Sequence, residues 1–213
     1  MSVYCWTFLK LKSGKFLAKP GVPRVITHKG KKIDYIEHGE GPAILFIPGS
    51  FSTPSAWSAV QKLMPPNYRF ISTSLCGYGS TEELRSTDNY GMQNLIDIIE
   101  AVVAKIGQPV HLVGHSFGGM VALACALSDR FEILSITTFE ANPITLIDAC
   151  RHRHLFEETI KIKDEFEAAF NAQNKDAAKI IIDFWGGDGS FASMPDPVQQ
   201  YCRQTAYNNV LDW

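Results

Sequence analysis

The stretch VHLVGHSFGGMVALACAL, residues 110–127, decides how this chain folds. Its first part is an apolar run typical of a buried strand, and its last part is rich in alanine and leucine, which favour a helix. Between them, Gly114 and Gly118 flank Ser116 in the pattern G-x-S-x-G. A serine in such a sharp strand-to-helix turn has a strained backbone, and only small neighbours fit beside it. The stretch therefore predicts a turn that presents Ser116 as a nucleophile.

Strands and helices alternate on both sides of this turn. Apolar runs or alternating patterns predict strands at RVITH, KKIDYIEHG, AILFIPG, YRFISTSL and EILSITTFEA. Helices are predicted at PSAWSAVQKL and from Asn94 to Gly107, where apolar residues recur at helical spacing. This alternation predicts an α/β fold with a mostly parallel central sheet flanked by helices.

The pattern changes after Asn142, where helical patterns replace the strands. We expect an N-terminal lead-in at residues 1–23, an α/β core at 24–142 and a helical cap over the sheet at 143–213. No strand is predicted after EILSITTFEA, so residues 133–139 would form an exposed edge of the sheet. An exposed apolar edge invites pairing with another chain, which predicts self-association there.

Charge and composition exclude several kinds of partner. The net charge of −2 is spread without a basic stripe, which argues against nucleic acid. No stretch approaches the roughly 18 apolar residues of a membrane span, and no signal peptide is recognisable, so a cytoplasmic protein without a membrane partner is expected. The five cysteines show no CxxC spacing. They favour a reducing compartment and buried thiols, and they predict no metal site.

Acyl transfer at a serine needs two N–H donors aimed at the developing oxyanion. We predict these donors to be the backbone N–H groups of Phe117, directly after the serine, and of Ser50, in the loop after AILFIPG. The predicted binding positions around them are Gly49, Phe51 and His115. The His115 side chain itself is expected to turn away from the pocket and to bond locally.

These segments resemble the α/β-hydrolase superfamily, in its cap-bearing branch of esterase-like and C–C-hydrolase-like members. The resemblance covers about residues 24–213 and is carried by LFIPGS, TSLCGYGST, LVGHSFGG and FEANP. It implies a serine hydrolase that acts on an ester or related acyl carbonyl of a small molecule, with no metal or organic cofactor. Because the elbow holds serine and not aspartate, an epoxide hydrolase or haloalkane dehalogenase mechanism is disfavoured.

Two segments depart from the family pattern. Pro48-Gly49 stands where the family often has His-Gly, and Ser74-Leu75-Cys76-Gly77 stands where it often has Asp-x-Arg-Gly. Both changes are expected to affect loop support more than chemistry.

The family order of catalytic residues is serine, acid, histidine. Only His152 and His154 follow Ser116, in CRHRHLF, which resembles a solvated helix face. Glu140 is a candidate for the acid, although a role in supporting the entrance to the cap is favoured. The resemblance therefore implies a C-terminally truncated hydrolase that lacks its histidine and is nearly inactive alone.

Two other hypotheses stay open. In the first, the chain is a ligand-binding protein that keeps the pocket and elbow without a working triad. In the second, the chain is active only with another chain that supplies strands and a histidine. The first predicts ligand binding that Ser116→Ala leaves unchanged. The second predicts activity only in a stable complex.

Overall fold

The structure is a computed structural model that describes residues 21–149 and 152–213. This part of the chain forms two compact units. The first, the core unit, comprises residues 21–142 together with Asp212. The second, the helical unit, comprises the described residues of 143–211 together with Trp213.

A six-stranded mixed sheet forms the centre of the core unit, in the order β1-β2-β4-β3-β5-β6. Its strands are β1 (Val22–His28), β2 (Lys31–His38), β3 (Ala43–Ile47), β4 (Arg69–Thr73), β5 (Val110–His115) and β6 (Ile133–Phe139). β1 and β2 run antiparallel to their neighbours, whereas β4, β3, β5 and β6 are parallel. The predicted α/β fold with a mostly parallel sheet is confirmed.

β1 begins at Val22, so the first strand starts within the last two residues of the predicted lead-in, 1–23. Pro23 lies opposite Ile36 in the pairing with β2. A proline lacks the N–H of a full ladder, but among the described strands β1 is an edge strand, where this loss is tolerated. The rest of the predicted lead-in, residues 1–20, lies outside the described residues.

The helices of the core unit lie between the strands. A 3₁₀ turn at Pro54–Trp57 leads into α1 (Ser58–Gln61), and the longer helices are α2 (Gln93–Ile106) and α3 (Phe117–Ser128). α2 buries its apolar stripe and ends at Gly107, which adopts a φ of 73°. Glycine takes this left-handed conformation readily, so α2 stops where its sequence pattern predicts.

β6 is the edge of the sheet opposite β1 and pairs, among the described strands, with β5 alone. Leu134 and Phe139 on β6 are both about half exposed, and Leu127 at the end of α3 is also exposed. The edge strand thus lies at the residues that the sequence predicts. Self-association through it stays a prediction.

The helical unit contains, within its described residues, six helices and no strand. They are α4 (Ile144–Ala149), α5 (Arg153–Asn171), α6 (Ala177–Gly186), α7 (Ser190–Ser193), α8 (Asp196–Gln204) and α9 (Ala206–Val210). None of the helices in the described ranges combines the length and the apolar character needed to cross a bilayer.

Three cysteines, Cys76, Cys125 and Cys202, are free and buried. Burial raises the pKa of Cys76 and of Cys125 to about 12 and that of Cys202 to about 11. These thiols are therefore protonated at neutral pH and act as small apolar groups, as predicted. Cys5 and Cys150 lie outside the described residues.

Asp97 is a buried carboxylate on α2 that binds three side chains. Lys29, Gln93 at 3.1 Å and Arg130 at 2.7 Å donate hydrogen bonds to it. Burial alone would raise the pKa of Asp97, but these hydrogen bonds lower it to about 2, below the usual 3.8. Because the pKa of Asp97 is depressed in the folded state, its charged form stabilises the fold fully at pH values above the usual pKa of 3.8. This contribution is lost as the pH falls toward 2.

Asp97→Asn is expected to lower the free energy of unfolding at pH 7 by about 1–2 kcal/mol, because it leaves Lys29 and Arg130 without this carboxylate. The loss relative to the parent should shrink by about half at pH 3. Urea unfolding of both proteins at the two pH values measures this. Glu100→Gln is the matched control, because Glu100 pairs with the same Arg130 in a more exposed position. A loss that is equal at both pH values would contradict the assignment.

Candidate active site

Ser116 connects β5 to α3 with a φ of 52° and a ψ of −125°. Its N–H donates to the Phe139 carbonyl at 2.9 Å, and its carbonyl accepts from the N–H groups of Gly119 at 2.9 Å and Met120 at 3.2 Å. A non-glycine residue in such a conformation costs about 1–3 kcal/mol and persists where neighbouring structure fixes it. The end of β6 and the first turn of α3 supply that fixation here.

The glycines around Ser116 lie where no side chain fits. A Cβ atom on Gly114 would lie 2.4 Å from the Gly118 carbonyl oxygen, and one on Gly118 would lie 2.3 Å from the Pro48 carbonyl oxygen. A Cβ on Gly119 would lie 2.8 Å from the Ala141 Cβ. The pattern G-x-S-x-G thus permits α3 to start directly against the end of β3.

The loop after β3 lies beside the serine. A Cβ on Gly49 would lie 3.1 Å from the Ser116 Cβ and 3.3 Å from His115 Nδ1. Phe51, two residues further, has a φ of 57°. Among the described residues, the N–H groups of Ser50 and Phe117 have no hydrogen-bond acceptor. The described residues thus leave both predicted donors without an acceptor, and their role as oxyanion donors stays a prediction.

His115 and Glu140 form a contact next to the serine. His115 Nε2 lies 3.4 Å from a carboxylate oxygen of Glu140, whose side chain is 71% exposed. The parallel register of β5 and β6 sets this contact, because it places His115 opposite Phe139, the residue before Glu140. Glu140 is thus close to the elbow and faces a histidine, although that histidine is His115.

No histidine in the described ranges, which contain all six, forms a hydrogen bond with the Ser116 hydroxyl. His111 Nδ1 bonds to the Ser135 hydroxyl at 2.7 Å. His152 and His154 belong to the helical unit, where both are exposed and their rings lie 6.3 Å apart. The described contacts therefore give Ser116 no general base.

Sequence reasoning missed a buried ionic cluster that holds Ser50. The Ser50 hydroxyl donates to Asp212 at 2.5 Å, as does the Tyr78 hydroxyl at 2.7 Å, and Arg85 donates at 2.6 Å. Burial raises the pKa of Asp212, and Arg85 and the two hydroxyl donors oppose that rise. The Arg85 guanidinium stays charged, because Glu83 and Asp212 raise its pKa against the effect of burial.

A sequence profile of the alpha/beta hydrolase family matches residues 44–213, which include both the elbow and the loop after β3. The chain belongs to the α/β hydrolase family. No group of three or more histidine, cysteine, aspartate or glutamate residues in the described ranges is placed to hold a metal ion.

The curated relatives of this α/β hydrolase include two pimeloyl-[acyl-carrier protein] methyl ester esterases. That of Aeromonas salmonicida is 29% identical over 105 residues, which are 49% of this chain and 40% of the relative. That of Aliivibrio fischeri is 26% identical over 105 residues, which are 49% of this chain and 38% of the relative. The matched part thus spans about two fifths of the length of these relatives.

Solved structures share the fold. A thioesterase domain from the curacin biosynthetic pathway has a TM-score of 0.52 and 28% identity, over 57% of this chain and 46% of that domain. An epoxide hydrolase from Vigna radiata has a TM-score of 0.62 and 20% identity, over 90% of this chain and 70% of that protein. At this identity the second likeness shows the fold alone.

Proposed function

We propose that this α/β hydrolase cleaves an ester or related acyl carbonyl through Ser116 as the nucleophile. One observation carries the proposal: Ser116 is held in a strained strand-to-helix turn, beside two backbone N–H groups that have no acceptor among the described residues. A strained turn of this kind exposes the hydroxyl for attack. Two available donors suit the negative charge that develops on a carbonyl oxygen.

The reaction follows from these groups. The Ser116 oxygen gives up its proton to a base from the buffer and attacks the carbonyl carbon, while the N–H groups of Phe117 and Ser50 hold the oxyanion. The bond to the leaving group then breaks, and that group takes up a proton and departs as the alcohol or thiol. Water attacks the acyl-enzyme, which releases the acid and returns a proton to the Ser116 oxygen. The methyl ester esterases and the thioesterase domain support an oxygen ester or a thioester of a carboxylic acid as the substrate class.

We also propose that no histidine of this chain acts as the base for Ser116. The chain by itself therefore turns over its substrate slowly. His115 supports this, because its Nε2 faces Glu140. Glu140 remains the candidate for an acid that would orient an imidazole. A missing base leaves binding and oxyanion stabilisation intact, so residual activity is expected rather than none.

The same observation favours a second candidate function, a ligand-binding protein without catalysis. Such a protein needs the elbow and the two N–H donors but no base. This candidate differs from the hydrolase in one measurable respect, because Ser116→Ala would leave its ligand affinity unchanged.

The proposal predicts that a fluorophosphonate probe labels Ser116. The probe is incubated with the 213-residue chain in imidazole buffer, which supplies a diffusing base, and the labelled peptide is identified by mass spectrometry. Ser116→Ala should take up no probe. His115→Gln is the matched control, because it changes the neighbouring side chain without removing the proposed nucleophile.

Labelling of the parent and of His115→Gln at Ser116, with none in Ser116→Ala, supports the proposal. A folded parent that takes up no probe at Ser116 contradicts a nucleophilic role and leaves the binding function. Probe on another residue in all three proteins contradicts it equally.

A further inference from the structure

The loop that carries Ser50 is fixed at three successive residues. Gly49 lies against Ser116, the Ser50 hydroxyl donates to Asp212, and the Phe51 ring contacts the Tyr78 ring edge-on with centroids 6.2 Å apart. Tyr78 itself donates to Asp212. Two of the three attachments therefore lead to the same buried carboxylate.

This carboxylate lies in a cluster that is shielded from water. The side chain of Arg85 is 0% exposed and that of Asp212 is 4% exposed. Arg85 also donates to the Cys76 carbonyl at 3.2 Å and to both carboxylate oxygens of Glu83 at 2.9 Å. A buried ion pair is a poor source of net stability, because desolvation offsets the Coulomb attraction. Its clearest effect here is geometric, since it fixes the position of each donor.

We infer that Asp212 is a positioning residue for the oxyanion hole, which holds the Ser50 hydroxyl and thereby aims the Ser50 N–H at the carbonyl attacked by Ser116. The inference rests on the proposed function for its chemistry. The Ser50 side chain and its N–H share one Cα atom, so a hydroxyl locked to Asp212 restricts the peptide plane as well. Small errors in the placement of such donors are costly, since a shift of about 1 Å lowers rates by about 100-fold.

The variants are chosen to disturb the fold as little as the cluster allows. Asp212→Asn keeps the shape of the side chain and removes its charge, and Arg85 retains the carboxylate of Glu83. Ser50→Ala provides a second and milder variant, because it removes the hydroxyl and keeps the backbone N–H. Glu83→Gln is the matched control, since it withdraws a carboxylate from the same arginine without touching Ser50.

The test combines two readouts on the folded 213-residue chain. The first is ¹⁵N relaxation of the Ser50 and Phe51 amides, and the second is the rate of fluorophosphonate labelling at Ser116 in imidazole. In Asp212→Asn and in Ser50→Ala we expect the order parameters to fall from about 0.85 toward 0.6. We expect labelling to slow about tenfold. Glu83→Gln should match the parent in both readouts, and Asp212→Asn combined with Ser50→Ala should be no slower than either alone.

The outcomes separate this inference from the proposed function. Unchanged order parameters and unchanged labelling in both variants would overturn the positioning role while leaving Ser116 as the nucleophile. Equal losses in Glu83→Gln would also overturn it, because they would show a general effect of disturbing Arg85. Order parameters that fall in Asp212→Asn and Ser50→Ala, while the parent is never labelled at Ser116, would uphold the control of the loop by Asp212 and refute the proposed function.

Discussion

Replacing Gly118 with alanine is expected to lower the free energy of unfolding by about 3 kcal/mol or more. The new Cβ would lie 2.3 Å from the Pro48 carbonyl oxygen and 2.4 Å from that of Ile47. Both atoms are backbone, so no side chain can rotate away. Relief requires α3 to move off the end of β3, a fully buried strand at the centre of the sheet.

Gly91→Ala is the matched control, because a Cβ there meets nothing within 4 Å and its φ is not in the left-handed range. That variant should stay within about 0.5 kcal/mol of the parent. Urea unfolding followed by circular dichroism at 222 nm compares the three proteins. A Gly118→Ala midpoint equal to that of the parent would contradict the close approach of α3 to the loop after β3.

The elements of the core unit could be predicted because their signals are local. The apolar stripe of α2 repeats at helical spacing and stops at Gly107, and the helix ends there. The run AILFI predicts a strand covered on both faces, and all five residues of β3 are buried. G-x-S-x-G predicts the turn at Ser116 because only small residues permit so sharp a change of direction.

The contacts that surround the turn could not be predicted, because they join distant parts of the chain. Ser50 and Asp212 are 162 positions apart, and no periodic pattern connects them. The contact between His115 and Glu140 depends on the register of β5 against β6, which shifts between Val110 and His111. Strand periodicity decides which face of the sheet each side chain occupies, but a shift by two residues keeps the same faces, so the pattern alone does not fix the register between distant strands.

The turnover of a p-nitrophenyl ester is expected to depend on imidazole in the buffer and to disappear in Ser116→Ala. A positioned base contributes about 10²–10⁴-fold to such reactions, and free imidazole should recover at least about tenfold at high concentration. The Ser116-dependent rate should rise linearly with imidazole concentration, and it should increase sigmoidally with pH through about 7, as the neutral base accumulates. Subtracting the rate of Ser116→Ala in the same buffer removes the hydrolysis that imidazole causes by itself.

The opposite result would locate a base inside the chain. A rate that does not depend on imidazole concentration and that shows a transition near pH 6.5 indicates that a histidine of the protein acts on Ser116. His115→Gln would then decide its identity, since His115 is the imidazole that the described contacts place beside the elbow. If that variant also keeps the full rate, the base comes from a histidine that the described contacts do not bring to Ser116. In either case slow turnover would not be due to a missing base, and the proposal that no histidine acts on Ser116 would be wrong.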